Sequence, residues 1–82
     1  MKILYFARLR EDLGCGEEDL PLPDGVDTVA RLRDYLMARG GRWKESLAGK
    51  SLRIAVNQEM AQPASTVKAD DEVAFFPPVT GG

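Results

Sequence analysis

The stretch Val73-Ala74-Phe75-Phe76-Pro77-Pro78-Val79-Thr80-Gly81-Gly82 constrains everything before it. Val73 to Phe76 is a run of apolar, aromatic and β-branched residues, the pattern of a strand. Pro77 and Pro78 stop that strand, because neither has a backbone N–H to give and both hold φ at about −65°. Four residues follow, too few for another element, and the last two carry no side chain. Fully extended, Val79 to Gly82 reach about 14 Å beyond the prolines. A Gly-Gly end suits a narrow channel, since nothing projects from its backbone. The chain therefore reads as one domain, residues 1–78, presenting a flexible tail, residues 79–82.

Composition limits what such a tail can serve. At 82 residues, with 44% hydrophobic and 29% charged residues, the chain is an ordinary globular domain with one core of modest depth. Its net charge is −2 and no basic block occurs, which disfavours nucleic-acid binding. There is no histidine, so a His-based triad, a His general base and a His-ligated metal are excluded. Cys15 is the only cysteine, so no internal disulfide is possible, which fits a reducing cytoplasm. No apolar run approaches the about 20 residues of a membrane span, and the first residues lack the layout of a signal peptide.

Taken in order, Met1 to Arg10 opens with Ile3-Leu4-Tyr5-Phe6-Ala7-Arg8-Leu9, apolar on both parities, and predicts a first strand. Glu11 to Glu18, with Gly14 and Gly16, reads as a loop. Asp19 to Pro23 predicts a second strand, held to a sheet edge by its prolines, so that the first two strands form a hairpin. Asp27 or Thr28 can N-cap a helix in which Val29, Leu32 and Leu36 share a face. Gly40-Gly41 is expected to end it. Arg42 to Lys50 allows one short helical turn, with Trp43 as a core or capping residue. Leu52 to Val56 predicts a third strand, Asn57-Gln58 a tight turn, and Glu59 to Gln62 a short fourth strand. Asp70-Asp71 turns the chain into the last one.

The order β-β-α-β-β-β gives an α+β fold, a mixed sheet of four to five strands with one main helix on one face. Parity then assigns the faces. If the helix covers Ile3, Tyr5, Val73 and Phe75, then Phe6 and Phe76 face away from it, and Met60 can join them. Such an uncovered apolar face beside the tail is either a docking patch or a minor core under loops, and docking is the preferred reading.

Ile3-Leu4-Tyr5-Phe6-Ala7-Arg8-Leu9-Arg10-Glu11, the turn Val56-Asn57-Gln58, and above all the run from Asp71 to Gly82 resemble the small subunit of molybdopterin synthase. That resemblance implies a β-grasp, ubiquitin-like fold and a sulfur carrier. An E1-like adenylyltransferase would use ATP to adenylate Gly82, and a sulfur donor protein would convert it to a thiocarboxylate. Val79, Thr80 and Gly81 would insert into the large subunit, where sulfur passes to cyclic pyranopterin monophosphate. Phe6, Met60, Phe76, Pro77 and Pro78 would form the interface in a heterotetramer. The resemblance implies no cofactor or metal on this chain, no membrane or nucleic-acid partner, and catalytic residues on the large subunit.

Four other readings stand beside this one. A carrier for another pathway, such as thiazole synthesis, would use the same chemistry at Gly82, and a ubiquitin-like modifier would join Gly82 to lysines. A plain interaction module would use the apolar face alone. An enzyme would need Cys15 or the Asp70-Asp71-Glu72 carboxylates, which read better as a loop thiol and a solvated turn.

Overall fold

Five strands form one mixed sheet in the order β2-β1-β5-β3-β4. They are β1 (Lys2–Tyr5), β2 (Glu17–Asp19), β3 (Arg53–Val56), β4 (Glu59–Met60) and β5 (Glu72–Phe76). The computed structural model describes residues 1–49 and 51–77. Pro78 and the expected tail, residues 79–82, lie outside the described residues. The central strand β5 runs parallel to β1 and antiparallel to β3. Burial fits that placement, because β5 alternates half-buried with fully buried residues, Val73 and Phe75 being shut beneath the helices.

Three helices cover one face: α1 (Ala7–Leu13), α2 (Val29–Met37) and α3 (Gly41–Leu47). The main helix α2 is capped as its sequence allows, with Thr28 Oγ1 accepting the Arg31 N–H at 3.2 Å. Val29, Leu32 and Leu36 are its buried stripe. Arg33 closes the neighbouring helix, its Nε donating to the Leu47 carbonyl, one of the free C-terminal acceptors of α3. The core beneath holds Ile3, Tyr5, Val73 and Phe75, each 1% exposed or less. Tyr5 stacks on Phe75 with ring centroids 5.9 Å apart and meets Trp43 edge-on at 5.3 Å.

Three expectations about the elements are corrected. The first strand stops at Tyr5, and residues 7–13 form helix α1 where a continued strand and a loop were expected. Leu9 and Leu13, four apart, both enter the core, so an apolar run on both parities concealed a change of period from two to 3.6. The second strand lies at Glu17–Asp19, upstream of the expected Asp19 to Pro23. Leu20 still donates to the Met1 carbonyl at 2.9 Å, but Pro21 and Pro23 have no N–H to continue the ladder. With α1 between them, β1 and β2 are antiparallel neighbours and not a tight hairpin. Finally, Gly40 and Gly41 open α3. Their φ values of 78° and 54° swing the chain from α2 into a second helix of seven residues.

The remaining turns follow their sequence. Asn57 and Gln58 have φ of 50° and 68°, the left-handed pair that a two-residue hairpin needs. The Asn57 side chain also binds the last strand, accepting the Glu72 N–H and donating to Asp71 Oδ1, both at 3.0 Å. Asp71 Oδ2 accepts the Lys68 N–H at 2.8 Å, so this carboxylate is used in folding the turn that launches β5. Among the described residues no helix is long and apolar enough to cross a membrane.

Candidate functional site

The face of the sheet opposite the helices is built from the alternate residues of the same strands. Register places Leu4, Ala74, Ala55 and Met60 in one row across β1, β5, β3 and β4. One step towards the end of β5, Phe76 pairs with Arg53. Phe6 lies beside Phe76, since the Phe6 N–H donates to the Phe75 carbonyl at 3.1 Å and so extends the parallel ladder. Phe6 is 48% exposed and Met60 58%, while Leu4, Ala74 and Phe76 are half-buried. The structure thus brings Phe6, Met60 and Phe76 to the open side of the sheet, while Pro77, the residue after Phe76, borders the helices. No segment among the described residues covers that side as a second core. Val79, Thr80, Gly81, Gly82 and Pro78, the other predicted site residues, lie outside the described residues.

Pro77 follows β5 directly and borders a groove between α1 and α3, with Arg8, Leu9, Asp12, Arg42 and Glu45 along its walls. The joint that leads into α1 is strained. Ala7 has φ of 53°, a left-handed conformation that costs an alanine about 1–2 kcal/mol. That strain sits between the exposed ring of Phe6 and the first turn of the helix.

The polar chemistry of the domain lies on the helix side. Tyr5 donates its hydroxyl to Glu18 Oε2 at 2.9 Å, and Arg39 binds both Glu18 oxygens at 2.8 and 2.9 Å. Arg39 also lies over the Trp43 ring, 4.3 Å from its centroid. Burial, reinforced by the Glu18 hydrogen bond, pushes the Tyr5 hydroxyl far above the ordinary tyrosine range. The Arg39 hydrogen bonds hold the Glu18 carboxyl below its usual range despite partial burial. A phenol kept neutral and a carboxylate kept ionised offer no acid or base near neutrality. This group ties β1 and β2 to the ends of α2 and α3, on the side of the sheet opposite the open face. Sequence reading missed it because its four members are scattered from position 5 to 43 and no spacing links them.

Cys15 lies at the margin of the sheet. Its Sγ donates to the Glu17 carbonyl at 3.1 Å, and it packs against the edge of the core.

A five-stranded mixed sheet of this order, with helices on one face and an open apolar face on the other, defines a ubiquitin-like β-grasp protein. Comparison with known proteins gives the family: a model of the ThiS family matches residues 3–82, and the chain belongs to that family. It is 39% identical over 82 residues to the molybdopterin synthase sulfur carrier subunit of Haemophilus influenzae, covering 100% of this chain and 99% of that one. The protein of the same name from Escherichia coli is likewise 39% identical over 82 residues, with the same coverage. Among solved structures, SAMP1 from Haloferax volcanii superposes with a TM-score of 0.83 at 30% identity, covering 100% of this chain and 98% of that one.

Proposed function

We propose that this protein is the sulfur carrier subunit of a molybdopterin synthase, with the Gly82 carboxylate as its reactive group. The observation that carries this reading is the pairing of an uncovered apolar sheet face with a Pro-Pro-Val-Thr-Gly-Gly terminus at the end of the central strand. Full-length similarity to two proteins of that name supports it. The domain docks and the tail reacts.

The chemistry follows from the weakness of a carboxylate as an electrophile. An E1-like partner activates it: a Gly82 oxygen attacks the α-phosphorus of ATP, pyrophosphate leaves, and an acyl-adenylate forms. A hydrosulfide equivalent from a sulfur donor protein then attacks the carbonyl carbon, AMP departs, and a thiocarboxylate remains. In the large subunit that sulfur passes to cyclic pyranopterin monophosphate and Gly82 returns to a carboxylate, so that two carriers supply one dithiolene. In this reading the catalytic groups of the transfer belong to the large subunit.

Intact-mass analysis of protein from its native cells, with fragmentation of the C-terminus, tests the reading. The expected result is a species in which one oxygen of Gly82 is replaced by sulfur. One residue added after Gly82 moves the carboxylate and abolishes cofactor synthesis, and normal synthesis by that variant would overturn the proposal.

A second reading rests on the similarity to SAMP1, a small archaeal modifier protein. The same acyl-adenylate can acylate a lysine amine, and a mass adduct of this chain on lysines of other proteins would establish that use.

A further inference from the structure

The open face carries its charge unevenly. At the end farther from Pro77, Lys2 Nζ lies 3.4 Å from Glu17 Oε2, and Glu72 is tied by its backbone to Asn57. At the other end two guanidinium groups bracket the two aromatic rings. Arg53 stands across the β3–β5 ladder from Phe76. Arg10 borders a shallow depression with Leu4, Phe6, Gly16 and Glu17. Both arginines are exposed.

Elsewhere in the described structure four of the other five arginines are committed, and Arg42, in the groove beside Pro77, is not. Arg8 pairs with Asp12, Arg31 with Asp27, and Arg39 with Glu18, while Arg33 caps α3. Arg10 and Arg53 make no ion pair and no side-chain hydrogen bond among the described residues. Glu17, the acid nearest Arg10 along the depression, is engaged by Lys2. Arg10 passes close to the backbone of Gly16: a Cβ at position 16 would sit 3.1 Å from its Nε and 3.4 Å from its Cζ. Glycine there leaves room for the guanidinium at the margin of the open face.

An apolar patch alone tolerates rotation of its partner. A tail that must deliver one atom to an active site does not, because small misplacements of reacting groups are costly. Two cations set on either side of the rings would fix both rotation and approach. Resting on the reading of the open face as the surface that meets the synthase large subunit, we infer that this partner carries carboxylates opposite Arg10 and Arg53, flanking an apolar pocket for Phe6 and Phe76. The local positive end, on a chain of net charge −2, steers the encounter and sets its register.

The test is binding of the full chain to purified large subunit by surface plasmon resonance at about 50 mM and about 500 mM salt, since the Debye length falls several-fold between them. The Arg10→Glu, Arg53→Glu double variant is expected to bind about tenfold more weakly at low salt, mostly through a slower association rate, and to approach the parent at high salt. The neutral Arg10→Gln, Arg53→Gln pair should fall between. Lys44→Glu with Lys68→Glu makes the same change of net charge off this face and should bind like the parent. Affinity of the arginine variants within about twofold of the parent at low salt would overturn the inference while leaving the carrier reading intact. An equal loss in the lysine variants would overturn it too, by assigning the effect to net charge. Failure of the parent chain to bind the large subunit would overturn the underlying reading and the inference with it.

Discussion

The two faces of the sheet are made by the same strands and differ only in parity. On one, Ile3, Tyr5, Val73 and Phe75 are shut away beneath three helices, each 1% exposed or less. On the other, Leu4, Ala74 and Phe76 stay half-buried, and Phe6 and Met60 stand open to solvent. Neighbouring phenylalanines, 75 and 76, thus have opposite tasks. The first holds the domain together, and the second is available to hold a partner. The difference teaches that a strand apolar on both parities needs a cover on both sides, and that the described residues of this chain supply only one. In the proposed reading the second cover is the synthase large subunit.

The sharpest way to break that contrast is to truncate each ring. Phe75→Ala should cost about 3–5 kcal/mol of stability, the range for emptying a large core site. For 82 residues total stability is about 4–12 kcal/mol, so the variant should be largely unfolded or close to it in urea titrations. A loss below about 1 kcal/mol would mean that the helix-side face is not the true core. Phe76→Asp should leave the unfolding midpoint almost unchanged, yet weaken binding to the large subunit by at least about tenfold, because a charge would enter a desolvated patch. Unchanged binding would show that the faces have been assigned the wrong roles.

How far this contrast was legible in the sequence depends on which signal each part leaves. Strand parity is local, so the division between Phe75 and Phe76, and the exposure of Phe6, could be read from alternation alone, whereas the place of Met60 on the same face needed the pairing of β3 with β4. The turn at Asn57-Gln58 and the cap at Thr28 likewise follow from side chains acting on their own backbone. Helix α1 was hidden because Leu9 and Leu13 continue an apolar run that already fits a strand. Ala7, at φ of 53°, gives no sign of its conformation, since alanine normally avoids it and only the surrounding packing holds it there. The Tyr5–Glu18–Arg39–Trp43 group and the two arginines beside the rings arise from tertiary contact, which no spacing along the chain encodes.

The covered face can also be loosened through its polar lock. Arg39 holds the Glu18 carboxyl below the ordinary value of 4.5, so Glu18 binds a proton less readily in the folded than in the unfolded chain. Its contribution is therefore complete above the unfolded value and is lost as pH falls through the lower folded one. Stability of the parent should decline as pH drops below about 5, and Glu18→Gln should remove part of that decline. At neutral pH the same variant should cost about 1–2 kcal/mol, since Arg39 and the Tyr5 hydroxyl keep only an uncharged partner. Binding through the open face should not change. Urea unfolding across pH, with the binding assay at neutral pH, separates the two effects. Weakened binding without loss of stability would contradict the separation of the faces.

The smallest effect is expected at the margin between the faces. Cys15 is the chain's only sulfur nucleophile, and in a protein read as a sulfur carrier it is the obvious competitor of the tail. Its surroundings argue otherwise. Its Sγ is turned to the Glu17 carbonyl, and part of its surface packs against the core. Cys15→Ser keeps a donor for that carbonyl and gives up only a small apolar contact, so the expected cost is below about 1 kcal/mol. Thiocarboxylate formation and sulfur delivery, followed by intact mass and by conversion of the pterin substrate, should match the parent. A variant that folds normally but transfers no sulfur would move part of the chemistry from Gly82 to Cys15, and would make the edge of the sheet a reacting surface as well as a boundary.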